Sequence, residues 1–426
     1  MPVLQPFRAF RYNADVVSLE EVVAPPYDVI GPEYQERLYA RHPNNVVRLI
    51  LGREEDRYAS AAGHFRTWKD RGILTRDAKP SLYVVHQEFD GLDGRRVTRK
   101  GFIALCRLEE FSSRVVLPHE KTLAKPREDR LKLFTATNAN FSQVFSLYWD
   151  LEKRIDEVFA IPIRSAPLMR VDFEDVVNSV WRADDMKIVE RVVRFMSDKQ
   201  VVIADGHHRY ETALAYRDLM RAKSPSHSGK ELYNYIMMFF SNIEDDGLVI
   251  YPTHRVVHSL QTFSAAGLLD KLGKTFHVQV VQDMMSMQTN LDRAVNRTFG
   301  LVLKDDPKLY CISLEPNVTA SVLVTEALPA EVKELDVTVL HTVILRDALG
   351  ISSEAQEQKR NLDYVRVAAD AVGAVRGGRA QAAFILRPTQ LEEVRSVARA
   401  GHVMPQKSTY FFPKLLSGLL FNLMEE

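Results

Sequence analysis

The run Lys199–Leu214, KQVVIADGHHRYETAL, constrains the fold more than any other stretch of the chain. Val201–Ala204 is a short apolar run of the kind that forms a buried strand. Asp205-Gly206 interrupts it, and helix formers follow at once, with Tyr210, Ala213 and Leu214 at helical spacing. The segment predicts a strand end that passes directly into a helix, with His207, His208 and Arg209 in its first turn. First-turn amides have no partners within the helix, and the dipole there favours an anion by about 0.3–1 kcal/mol. Glycine at 206 lets a ligand approach the backbone closely. An arginine guanidinium grips phosphate or carboxylate with two hydrogen bonds. The bland alternative makes Asp205 a plain N-cap and the histidines surface residues. Three potentially cationic side chains in one turn repel each other unless an anion or acid answers them. Asp205, Gly206, His207, His208 and Arg209 are therefore read together as a phosphate site. His207 and Glu211 share a helix face and could ligate a metal. No third ligand is comparably placed, so no metal ligand is assigned.

The length, 426 residues, suits two or three domains. Lys plus Arg equals Asp plus Glu at 56 each. That balance argues against bulk electrostatic binding of nucleic acid, which needs a basic excess. The two cysteines, Cys106 and Cys311, stand far apart and form no metal or redox motif. They suit a reducing compartment. The start, MPVLQPFRAFRYN, lacks the charged and apolar regions of a signal peptide. No apolar run approaches the length of a membrane span. The apolar stretch Leu415–Leu423 is expected to pack as a helix. Together these features predict a cytoplasmic protein with no membrane partner.

Strands and helices alternate along the chain. Ala24–Ile30 is a proline-stiffened loop, followed by a helix near Glu33–Arg41. Val46–Leu51 reads as a strand, Tyr58–Arg71 as a helix. Leu82–Phe89 and Arg95–Leu108 flank Asp90-Gly91-Leu92-Asp93-Gly94, a hairpin signal. Tyr235–Asn242 and Leu248–Tyr251 flank Asp245-Asp246-Gly247 in the same way. A boundary falls near Leu260–Gly267. Beyond it, strands are expected near Thr275–Val281, Phe299–Lys304, Lys308–Leu314 and Ala382–Leu386, and a helix over Val337–Leu349. Thr389 and Glu392 form a capping-box pattern, with Gly401 as the helix stop. The mixture predicts a mixed α/β architecture.

Two further segments could carry chemistry. In Leu117-Pro118-His119-Glu120-Lys121-Thr122 a carboxylate beside an imidazole makes a workable general base. The bland alternative is a solvated charged loop. In Met404-Pro405-Gln406-Lys407-Ser408-Thr409-Tyr410 a lysine followed by two hydroxyls echoes phosphate-binding loops, although no glycine-rich loop precedes it. An ordinary loop is the alternative there. Weaker candidates are Tyr27, Asp28, Arg48, Thr253, His254, Arg255 and His341. Thr253-His254-Arg255 follows a strand and is expected at a site rim. His341, among Val339, Leu340, Val343 and Ile344, reads as a core histidine.

The combination of PPYDVI, PHEKT, ADGHHRYETAL, THR and MPQKSTYFFPK resembles the bacterial family catalogued as domain of unknown function number 1015, over nearly the whole chain. The Asp-Gly-His-His-Arg turn also resembles the phosphate-gripping turn of the ParB/sulfiredoxin-like superfamily, which includes free serine kinases. The resemblance implies a ParB/sulfiredoxin-like catalytic domain over residues 1–260. A mixed α/β C-terminal domain would span 261–426, its final segment able to return to the active site. It implies phosphoryl transfer between a nucleotide (ADP or ATP) and free serine, or the reverse reaction on phosphoserine, with Mg²⁺ accompanying the nucleotide. Glu120 would take the proton from the serine hydroxyl, with His119 orienting it and His208 among the catalytic groups. The turn at Asp205–Arg209 would hold the phosphate, with Lys407, Ser408 and Thr409 closing on it. This arrangement requires the three segments to converge. Two rivals stand beside it: a nucleotide-binding regulator of the partition-protein type, and a phosphatase acting on another phosphorylated small molecule.

Overall fold

The computed structural model describes every residue except 93, 121–123, 225 and 426, and the side chains of 124–126. The architecture is mixed α/β. The chain forms two compact units. The first comprises Met1–Pro118, Thr122–Val249 and Phe411–Glu426; the second comprises His119–Lys121 and Ile250–Tyr410.

A nine-stranded sheet forms the first unit. Its strands run in the order Val116–Leu117, Val201–Asp205, Val144–Tyr148, Tyr235–Asn242, Arg96–Arg107, Leu82–Asp90, Val176–Ala183 and Met169–Phe173. Leu4–Gln5 pairs with Arg96–Arg107 off this path. Tyr235–Asn242 is central and buried at every position, so it reads as a continuous apolar run. Met169–Phe173 lies at the edge and alternates buried with exposed residues, as a strand with one wetted face must. The Asp-Gly hairpin forms as expected, with Asp90 opposite Arg96. Helix Met186–Met196 is capped by Asp185, whose carboxylate accepts the Lys187 amide at 2.9 Å. It buries Ile188, Val189, Val192 and Met196 against the sheet's apolar cluster.

The second unit is built on six antiparallel strands in the order Phe276–Val281, Leu309–Leu314, Thr298–Leu303, Ala382–Ile385, His254–Val257 and Leu362–Val365. Met287 and Leu291 from helix Met284–Arg293, and Ala371 and Val375 from helix Ala368–Arg376, pack on Val256, Val302 and Ala383 of the sheet.

Four local expectations are corrected. Val47–Ile50 is a helical turn, because Asn45 caps it: its Oδ1 accepts the Val47 amide at 2.9 Å while its amide group binds the carbonyls of Glu21 and Val23. Tyr235–Asn242 forms no hairpin across Asp245–Gly247, since its two edges are already taken by Arg96–Arg107 and Val144–Tyr148. Leu415–Leu423 is not helical; Gly418 has φ +96°, and Asn422–Leu423 pairs with Ala139–Asn140. The helix Leu391–Arg399 begins one residue later than the pattern suggested. Gln390 and Glu393 make the capping contact (2.9 Å), and the Thr389 hydroxyl donates instead to the Ser408 carbonyl at 2.6 Å. No helix among the described residues is long and apolar enough to cross a membrane.

Gly101 marks where the first sheet has no room to spare. A Cβ there would lie 2.4 Å from both the Phe239 ring and the Phe240 carbonyl on the neighbouring strand. Gly101→Ala is expected to destabilise the protein by roughly 1–3 kcal/mol, as overpacking in a dense core does. Denaturant unfolding followed by circular dichroism checks this; an unchanged midpoint would show that the strands can part locally.

Candidate functional site

The strand Val201–Asp205 passes through Gly206 into the helix His207–Lys223. Gly206 has φ +89°, and an added Cβ would lie 2.8 Å from the Arg209 guanidinium carbon. Both the backbone angle and the space call for glycine. Arg209, itself buried, folds back over this position. Its guanidinium donates to the Asp205 carboxylate at 3.1 Å and to the Gln143 carbonyl. The Lys414 ammonium stands 3.3 Å from the other Asp205 oxygen. Burial by itself would raise the Asp205 carboxyl, but Lys414, Arg209 and His207 outweigh it and hold the group well below the usual carboxylate range. Asp205 is thus an ionised counter-charge rather than a simple cap. His207 is buried and His208 half-buried at the start of the same helix.

Lys414 reaches Asp205 because its segment is pinned from inside the sheet. Arg99 is fully buried and donates to the carbonyls of Phe412 (3.3 Å) and Pro413 and to the Gln87 side chain (3.1 Å). Its guanidinium lies 4.6 Å from the centre of the Phe145 ring. Burial lowers this guanidinium to about 9, against the opposing pull of Asp245 and Asp205. Tyr27 belongs to the same unit, with the Arg130 guanidinium 4.1 Å from its ring centre. Burial raises the Tyr27 hydroxyl, and Arg130, Asp28, Arg209 and Asp205 all act on it electrostatically. Asp28 itself is exposed.

In the second unit the structure brings two predicted segments together. Glu120 bridges to Met404 in parallel, with the Met404 amide donating to the His119 carbonyl at 2.7 Å. This places Glu120 beside Thr409. Glu120 Oε1 accepts both the Thr409 amide and the Thr409 hydroxyl at 3.1 Å. The buried His119 Nε2 lies 2.8 Å from the same hydroxyl. A hydroxyl has one proton to give, so with that proton on Glu120 the imidazole Nε2–H is the donor to Thr409. A chain of donors then runs from His119 through Thr409 to the Glu120 carboxylate. The Ser408 hydroxyl is spent on the Pro405 carbonyl at 2.6 Å. Lys407 is exposed, with φ +59°, and its carbonyl accepts from Arg255 at 3.1 Å. Lys121 and Thr122 lie outside the described residues. Of the three expected segments, these two share the second unit, and the Asp205 turn is built within the first.

His254 and Arg255 do not lie at a rim, and Thr253 is half-buried just before their strand. His254–Val257 is paired on both sides, with His254 and Arg255 buried. Arg255 donates through its side chain to the Thr253 carbonyl and, at 3.2 Å, to His341 Nε2. His341 is therefore a neutral acceptor there, and burial and Arg255 hold it well below 6.5. Arg48 stacks on the Tyr39 ring at 4.3 Å. Sequence reasoning passed over Arg99, Lys414 and the role of Arg255. Arg99 stands among Arg96, Thr98 and Lys100, so nothing along the chain set it apart. Among the described residues no group of three or more His, Cys, Asp or Glu is arranged to hold a metal ion.

A family model described as "Protein of unknown function (DUF1015)" matches residues 4–338. No curated protein matches the chain. Several solved structures do. A conserved hypothetical protein from Pyrococcus furiosus matches with TM-score 0.34 and 15% identity, over 72% of this chain and 90% of its own. A free serine kinase in complex with AMP matches with TM-score 0.34 and 15% identity, over 71% and 85%. SbnI with a C-terminal truncation, from Staphylococcus aureus, matches with TM-score 0.36 and 9% identity, over 74% and 85%.

The second unit's buried histidines set an acid limit. Burial, with Arg255 adding to it, lowers His254 from 6.5 to about 4, and His341 is lowered too. In both cases the unfolded chain binds the proton first. Stability is therefore full above pH 6.5 and falls as the pH drops from there toward 4, by about 1.4 kcal/mol per pH unit for His254, with His341 acting in the same direction. Unfolding midpoints between pH 7.5 and about 4.5 test this. His254→Gln, which keeps an acceptor for the Leu386 amide (3.2 Å), should flatten the slope by about one proton. An unchanged slope would show that His254 is not a source of it.

Proposed function

The chain belongs to the DUF1015 family, and from the chemistry of its two clusters we propose that it is a phosphotransferase acting on free serine or phosphoserine, with a nucleoside diphosphate or triphosphate as the phosphate partner. The observation that carries the reading is the charge count at the Asp205 turn. Two fixed cations, Arg209 and Lys414, bracket one carboxylate at the start of a 17-residue helix. The two cations and the helix dipole both favour an added anion. The likeness of this turn to the phosphate grip of ParB/sulfiredoxin-like serine kinases supports the same reading, as fold-level analogy.

In this reading the turn at Asp205–Arg209 is the phosphate grip and Glu120 is the base. Glu120 accepts the proton of the serine hydroxyl as that oxygen attacks the terminal phosphorus. The bond from phosphorus to the bridging oxygen breaks, and the nucleotide leaves with the electron pair. His119 and Thr409 orient the carboxylate. His207 and His208 add donors at the helix start. Charge stabilisation and positioning dominate such transfers. The described residues form no metal cage, so Mg²⁺ would enter on the nucleotide's own phosphates, and no step is assigned to it.

The test is phosphate transfer by the purified full chain with Mg²⁺, phosphoserine and ADP, following serine and ATP together, and with serine plus ATP as the reverse. Transfer in either direction is expected. Glu120→Gln should lower kcat by about 10²–10⁴, the usual contribution of a general base. His208→Ala and Lys414→Met should weaken binding of the phosphorylated substrate. Undiminished turnover in Glu120→Gln would remove Glu120 from the role. Serine released with free phosphate and no ATP would make the protein a phosphatase. Nucleotide binding without any transfer would leave a regulator.

A further inference from the structure

A cavity of about 170 Å³ opens within the first unit, on the sheet face opposite Arg99. Side chains alternate along a strand, so Lys100 and Phe102 leave the face that Arg99 occupies. The aromatic rings divide in the same way. Phe145 packs with Phe239 and Phe411 on the side of Arg99, whereas Phe102 packs with Tyr148, Phe159 and Phe240 on the other. Asp205 stands opposite Phe145 in the strand register, three residues before Tyr148. The sheet itself therefore separates the cavity from the segment that carries Lys414. Its floor is apolar, with Phe102 and Phe159 both buried. Lys100 and Ala160 are exposed at its mouth, and His86 and Asp156 are half-buried between mouth and floor.

Four polar side chains line this space: His86, Lys100, Tyr148 and Asp156. None of them makes a hydrogen bond or an ion pair through its side chain with any other described residue. The charges around them are already spent. Asp245 accepts the amides of Gly247 (2.7 Å) and Lys100 (3.3 Å), and Asp150 accepts the Ile155 amide at 3.0 Å beside Arg154. Lys153 lies 3.9 Å from Asp246. Burial raises the Asp156 carboxyl, and Asp245 adds to it against the pull of Lys100, so a cation seated there would relieve it. Burial and Lys100 lower His86 to about 4, which leaves a neutral ring with one donor and one acceptor. A plain cation would satisfy Asp156 and be repelled by Lys100; a plain anion would do the reverse. A zwitterion answers both. A cavity of roughly 150 Å³ holds a molecule the size of benzene, so this one admits a branched aliphatic side chain. We infer that the cavity binds a free α-amino acid with an apolar side chain of about leucine's size, its ammonium on Asp156, its carboxylate on Lys100 and its side chain against Phe102 and Phe159. An apolar pocket with a few convergent polar groups is the usual form of a small-molecule site. The site does not depend on the phosphotransferase reading.

The probe is L-leucine, compared with isoamylamine, which lacks its carboxylate, and isocaproate, which lacks its ammonium. Binding to the purified full chain is measured by calorimetry or ligand-detected NMR, with no nucleotide present. L-Leucine should bind at least about tenfold more tightly than either analogue, since each has lost one charge-assisted contact. Lys100→Met alters an exposed position and should erase the preference for leucine over isoamylamine, while the preference over isocaproate stays. Asp156→Asn should do the converse. Unchanged unfolding midpoints for the two variants, read by circular dichroism, tie these losses to the site. The reciprocal pattern also assigns the binding to this cavity rather than to the Asp205 turn. No binding of L-leucine at about 10 mM would overturn the inference. Equal binding of leucine and both analogues, or leucine binding untouched by both substitutions, would overturn it as well.

Discussion

One carboxylate, that of Asp205, ties a strand and the helix that follows it to a segment far along the chain. It ends a strand, answers the guanidinium of the helix that follows, and receives the ammonium of Lys414 from more than two hundred residues away. Each partner needs the others. Without Gly206 there would be no room for Arg209 to fold back, and without Arg209 and Lys414 burial would push a carboxylate so placed upward. Arg99 extends the dependence inward. Its buried guanidinium spends its donors on the carbonyls of Phe412 and Pro413, and so settles the backbone from which Lys414 extends. A buried charge is tolerated only when its hydrogen bonds are met, and here they are met by backbone that must be in place.

The second unit uses a different device. Its polar centre is a relay of donors, from His119 to Thr409 to Glu120, that leaves the carboxylate at the accepting end. Arg255 is the fixed cation behind it. Its guanidinium bonds to the Lys407 carbonyl, the Thr253 carbonyl and His341 at once. The loop that carries Ser408 and Thr409 is thereby held by its main chain, through Arg255 and Thr389, so that the Thr409 side chain is free of any structural duty except meeting His119 and Glu120.

What could be read in the sequence was what is local. The strand, the Asp-Gly break and the helix start at 201–207 are written in consecutive residues, and so is the Asp90–Arg96 hairpin. Where local preference met tertiary demand, it lost. Val46–Leu51 has strand-like composition, yet Asn45 caps a helical turn there by bonding to residues more than twenty positions earlier. Leu415–Leu423 has helix-like composition, yet its backbone is recruited to pair with Asn140. The site residues divide in the same way. His119, Glu120 and Thr409 drew notice as residue types, but their bond spans 289 positions and no pattern along the chain announces it. Lys414 is an ordinary lysine until the fold sets it against Asp205.

The two-part composition of the first unit bears on the order of events during synthesis. Its sheet draws on strands that are complete once Asn242 has been made, but Phe411 to Leu423 supplies part of its interior. The second unit, by contrast, is contiguous from Ile250 to Tyr410 apart from the short strip at His119–Lys121. On the ribosome the later-made unit thus has nearly all its residues while the earlier one still lacks Lys414, one of the two counter-charges of Asp205. The first unit waits, with part of its apolar face uncovered, for the closing segment to emerge. In that interval it is the half of the molecule most in need of protection from aggregation.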